Sequence, residues 1–88
     1  MQMICLATSR QSYDYLVASE FWPPDALWLS SGVLDACELA ELRAQGLSVT
    51  DFTGAIDAND AVELEVALDT IAEHHPAQAI WVNGSLPG

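Results

Sequence analysis

The stretch Asp35–Gly54, DACELAELRAQGLSVTDFTG, decides the fold. Asp35 can accept a hydrogen bond from a free amide of a helix's first turn, and Glu38, three residues later, can reach back to complete a capping box. Gly46 then supplies the left-handed residue that ends a helix, and Leu47 can pack back on Leu42. This predicts a helix over about residues 36–45. From Leu47 to Thr53 the pattern changes: Leu47, Val49 and, less regularly, Phe52 alternate with polar positions, Thr stands at 50 and 53, and Gly54 follows. Such a run reads as a strand.

The same alternation of strand and helix continues on both sides. Upstream, Ala26–Ser30 (ALWLS) is an apolar run punctuated by Ser30-Ser31-Gly32, and Met3–Thr8 (MICLAT) is another, closed by the polar cluster Thr8–Ser12. Between them Tyr13, Leu16, Val17 and Phe21 fit a helical face, although Tyr13, Tyr15 and Val17 also fit strand alternation. Pro23-Pro24 must stop that segment, because proline lacks the amide donor and pushes its predecessor out of helical geometry. Downstream, Asp57-Ala58-Asn59-Asp60 offers several N-caps for a helix that runs to His75 and is ended by Pro76. Ala79–Val82 (AIWV) is a fourth strand, followed by a turn at Asn83-Gly84-Ser85. Strands separated by helices imply right-handed crossovers. The expectation is an α/β fold of βαβαβαβ order, a small, mainly parallel four-stranded sheet with three helices packed on it. Residues 1–85 form a single acidic domain and 86–88 a soft C-terminal tail; 88 residues leave no room for a second core.

Charge narrows the partners. Thirteen Asp and Glu face only Arg10 and Arg43, no lysine occurs, and the net charge is −11. A phosphate backbone is held by clustered cations, so nucleic acid is excluded as a partner, and an anionic membrane surface repels the chain. A basic protein would be attracted and steered, so the expected partner is another protein, basic in character, or a second copy in a homo-oligomer. Acidity also serves solubility, or a high-salt cytoplasm, without any partner. Cys5 and Cys37 are far apart and outside any CxxC pattern, which predicts two buried free thiols. The N-terminus lacks a basic segment before a long apolar one, and no apolar run reaches the ~20 residues of a membrane span, so a cytoplasmic location is expected.

The chemistry-bearing motifs are sparse. Ligands of open parallel sheets bind beyond the carboxyl ends of the strands. There Ser9, Arg10, Ser31 and Asn83 are the candidate ligand-binding residues, for a small anion, although any strand-to-helix turn favours such residue types. Neither GxGxxG nor GxxxxGK[ST] is present, and no serine has a GxSxG setting. Asp51 lacks the neighbouring carboxylates and lysine that a phosphoacceptor aspartate needs, and reads as a polar residue on an exposed edge. His74 and His75, adjacent in sequence, point about 100° apart on a helix and cannot chelate one ion together. No metal, cofactor or catalytic residue is assigned. The partner-binding candidates lie elsewhere. At 100° per residue, Ala61, Leu64, Ala67, Leu68, Ile71, Ala72 and His75 gather on one face of the last helix. Val62 and Val66 project into the opposite, acidic arc, rimmed by Glu65, Asp69 and Glu73. Trp22, beside Phe21, Pro23 and Pro24, is a second candidate anchor. These features favour a non-catalytic acidic interaction or regulatory module over a small-molecule (anion) binding or catalytic domain that uses the strand-end edge.

Overall fold

A computed structural model describes residues 3–83. The proposed tail, 86–88, and residues Gly84 and Ser85 of the last turn lie outside the described residues. Four strands, β1 (Ile4–Ala7), β2 (Ala26–Leu29), β3 (Ser48–Asp51) and β4 (Ile80–Val82), alternate with α1 (Arg10–Ala18), α2 (Ala36–Ala44) and α3 (Ala61–His74). All pairings are parallel and the sheet order is β3-β2-β1-β4. The chain moves in one direction from β1 to β3 and then crosses back over the sheet to β4.

That reversal distributes the helices. Right-handed crossovers in opposite directions place their helices on opposite faces. One face packs Cys5, Ala7, Leu27, Leu29 and Val49 against Tyr13 and Leu16 of α1 and Leu39 and Leu42 of α2. The other packs Ile4, Leu6, Ala26 and Trp28 against Ala67 and Ile71 of α3 alone. The central strands β1 and β2 are therefore buried at every position, whereas β3 at the edge exposes Ser48 and Thr50 around a buried Val49. Burying one Ile or Leu of the centre contributes about 1.5–3 kcal/mol, so these two strands carry the core. Arg43 closes the open side of β3 by donating from Nε and Nη2 to the Val49 carbonyl at 3.3 and 3.0 Å, which shields part of an unpaired sheet edge.

Local chemistry sets the boundaries. The Asp35 carboxylate accepts from the Glu38 amide at 2.8 Å while the Glu38 side chain accepts from the Asp35 amide, completing the capping box. At the other end Leu47 N–H reaches the Leu42 carbonyl, Gly46 N–H reaches that of Arg43, and Gly46 has φ of 92°. This is the two-bond Schellman termination, and glycine adopts its left-handed backbone without Cβ strain. The first helix differs from the expectation. It starts at Arg10, not Tyr13, because Ser9 caps it and Ser12 plays the part usually taken by Glu; a polar cluster that reads as a turn is the helix's first turn. It ends at Ala18, so Phe21 is not on its face, and Val17 is 40 % exposed. On α3, Ala67 and Ile71 are buried and Leu64, Leu68 and His75 are half-buried, while Ala61 and Ala72 of the expected face are exposed.

Candidate functional site

The sheet reverses direction between β1 and β4, and in open α/β sheets that is where a crevice opens at the strands' carboxyl ends. Here Asn83 spans it. Its Oδ1 accepts from the Thr8 amide at 2.9 Å and its Nδ2 donates to the Thr8 hydroxyl at 2.9 Å, while its own amide donates to the Leu6 carbonyl. A left-handed backbone, φ 50°, turns the residue inward, and asparagine tolerates that conformation better than most residues. Ser9, beside it, is engaged with Ser12 in the cap of α1. Arg10 is held by carboxylates of two helices, Asp14 at 3.3 Å and Glu38 at 2.8 Å. The hydrogen bond from Arg10, followed by one from the Asp35 amide, holds the Glu38 carboxyl below its ordinary value. Ser31 is exposed, donates its amide to the Gly54 carbonyl, and so belongs to a different corner of the edge. The four candidate ligand residues thus do not converge on one point, and three of them are bound to other side chains of this chain.

Other polar groups are isolated. His75 Nε2 accepts from the indole N–H of buried Trp28 at 3.3 Å, and the His74 ring stands edge-on to the same indole, so the two histidines clasp Trp28 to the end of α3. Among the described residues no three His, Cys, Asp or Glu gather as a metal site. Asp51 is half-buried on the α1/α2 face, contrary to the expected exposed edge position, because its register opposite Leu29 turns it inward. Its Oδ1 is buried with no hydrogen-bond partner. Cys5 is buried and its thiol is pushed up to about 11, by desolvation first and then by Asp25; Cys37 is free but, contrary to the expected burial, exposed, because it lies in the first turn of α2 away from the buried Leu39 and Leu42.

An apolar groove of about 420 Å³ lies between α3 and the loop that leaves β3. Phe52, Ala55 and Ile56 form one wall, and Val62, Val66 and Ala67 the other, with Glu63 and Thr70 at the rim. The helix side is built by local chemistry and the loop side by a long-range contact. Asp60 caps α3 through the amides of Val62 and Glu63. The loop is fixed by the Ile56 amide donating to buried Ser30 Oγ at 2.8 Å and by the Asp57 amide donating to Glu63 Oε2 at 2.9 Å. Phe52 also contacts the Trp28 ring, centroids 5.4 Å apart, which ties the floor to the sheet core.

Val62 and Val66 are 70 % and 60 % exposed, one helical turn apart along this groove. Glu65, Asp69 and Glu73 are also exposed on α3 but do not line it; they form a row at four-residue spacing on the outward arc beside the valines. Trp22 is half-buried, packs on the α1/α2 core and meets the Tyr13 ring edge-on at 5.9 Å. It lines a separate cleft with Pro23, Pro24 and Leu47 at the opposite end of the sheet, so the structure does not bring it together with the valines. The groove's loop wall, Phe52, Ala55 and Ile56, was not foreseen from sequence. Phe52 reads as part of the third strand, which ends at Asp51, and Ala55 and Ile56 stand in a turn-rich segment where no periodicity marks them. Comparison with known proteins returned no matching family model, no matching curated protein and no matching solved structure.

Proposed function

We propose that this chain is a non-catalytic interaction module that holds a basic segment of another protein along α3, with Val62 and Val66 as the apolar contact and Glu65, Asp69 and Glu73 as the charged one. The observation that carries the reading is the pair of exposed valines on the wall of an apolar groove. Neither they nor the acidic row serve the isolated helix. Valine is less helix-favouring than alanine by up to ~0.7 kcal/mol. Like charges four residues apart cost ~0.2–0.5 kcal/mol per pair, and Glu65, Asp69 and Glu73 make two such pairs. Residues 44–88 contain seven of the thirteen carboxylates and neither arginine. Both arginines are engaged, Arg10 by carboxylates and Arg43 by a backbone carbonyl. The surface around α3 therefore offers a partner uncompensated negative charge beside an apolar strip, which suits a basic, partly apolar partner and opposes a second copy carrying the same −11. Two free thiols fit a reducing cytoplasmic setting for that partnership.

The test is affinity capture with the wild-type chain and with Val62→Ser/Val66→Ser at low and high salt. One stoichiometric basic partner, released by salt and lost in the variant, is the expected result. Equal capture by a folded variant would refute the reading.

A further inference from the structure

We infer that the segment held along α3 is an amphipathic basic helix, not an extended strand. The inference rests on the groove being a protein-docking site and adds the conformation of what docks there. An extended peptide needs backbone partners, and bound by strand addition it finds them on a sheet edge. This groove has no edge. One wall is α3, whose amides and carbonyls are spent within the helix apart from its capped ends. The other is an irregular loop, not a strand, in which the Ile56 amide is taken by Ser30, the Asp57 amide by Glu63 and the Gly54 carbonyl by the Ser31 amide. A strand laid here would bury its own N–H and C=O groups against Phe52, Ile56, Val62 and Val66 without partners, which is strongly unfavourable. A helix satisfies its backbone internally and presents only side chains.

Spacing and charge agree with that occupant. The apolar row Val62, Val66 and the acidic row Glu65, Asp69, Glu73 repeat every four residues, about 6 Å along the axis. A helix lying alongside presents its own i, i+4 side chains at the same interval, with apolar residues seated in the groove and Lys or Arg against the carboxylates. The 14 residues of α3 span about 21 Å, enough to support three to four turns of a partner.

The probe is a blocked synthetic peptide of about 15 residues, with leucines on one helical face and lysines on the other. Its control is an isomer of equal composition whose order scatters leucine around the helix. Amide chemical shifts of the isotope-labelled protein, fluorescence anisotropy and peptide circular dichroism are recorded. The expected result is binding at least about tenfold tighter for the amphipathic peptide, with a gain of helicity and with shifts confined to residues 52–56 and 62–73. Val62→Ser/Val66→Ser should lower that affinity by about tenfold, and Asp69→Lys/Glu73→Lys should weaken both the affinity and its salt dependence. Equal affinity for the isomer, or a bound peptide that remains extended, would overturn the helix inference while leaving groove docking intact. Absence of groove shifts with either peptide would overturn both, as would self-association of the free chain through Val62 and Val66.

Discussion

Replacing Val62 and Val66 together by serine separates two accounts of why the valines are there. Serine and valine rank close together in helix propensity, so the exchange is nearly neutral for α3 itself. Burying a whole valine contributes ~1.5 kcal/mol at the lower end of the usual range. With 70 % and 60 % of the two residues exposed, only about a third of that contribution is realised at each. The double variant should therefore lose about 1 kcal/mol, which lowers the melting temperature of a domain this size by ~4–8 °C. Urea and thermal unfolding followed by circular dichroism measure this directly, and sedimentation reports whether the chain keeps its oligomeric state. Were the valines part of the core, the pair would cost several kcal/mol. A loss above about 3 kcal/mol would refute the argument that they face outward for a partner.

Other consequences are independent of the partner. Cys37 should react with a thiol reagent as soon as it is added to the native protein, whereas Cys5, with its thiol pushed up to about 11, is about one part in a thousand thiolate at pH 8 and should react only on unfolding. Two rapid equivalents from the native state would contradict the buried first strand. Asn83→Ala removes the three hydrogen-bond contacts with Thr8 that tie the end of β4 to β1. It should cost about 1–3 kcal/mol, and faster hydrogen exchange at Trp81 and Val82 than in the parent chain would localise the loss. Glu38 is held below its ordinary value by Arg10. Its contribution is present above the unfolded carboxyl range and is lost as acid brings the pH down through the folded value. The parent chain should accordingly lose more stability below about pH 4 than Arg10→Ala does. Identical acid titrations would show the tether to be inconsequential.

What the sequence made legible follows the range of the interactions involved. The α2 boundaries could be read because Asp35, Glu38 and Gly46 act within one turn of the chain, and the chemistry of a capping box and a Schellman end is local. The start of α1 is not legible because Ser9 and Ser12 build the same box from two serines, a composition that turns share. The order β3-β2-β1-β4 was not legible, since right-handed crossovers fix the hand of each step and not its direction. At the site, helical periodicity alone marked Val62 and Val66, but their opposing wall comes from Phe52, Ala55 and Ile56. That loop's position depends on Ser30 reaching Ile56 across 26 residues, a contact with no trace in the pattern. Likewise, the strand-end polar residues looked like a set until the fold paired Asn83 with Thr8 and Arg10 with Glu38.

The central claim is that the outer, acidic side of α3 is where another protein sits. A photo-crosslinking residue placed at Val66 in the living cell tests it most directly, with the same residue at exposed Ala40 on α2 as the comparison. One dominant crosslinked basic protein is expected from position 66 and not from position 40, with the attachment point mapping to a helical segment rich in Lys or Arg. The same products from both positions, or none from position 66 in the folded chain, would contradict it.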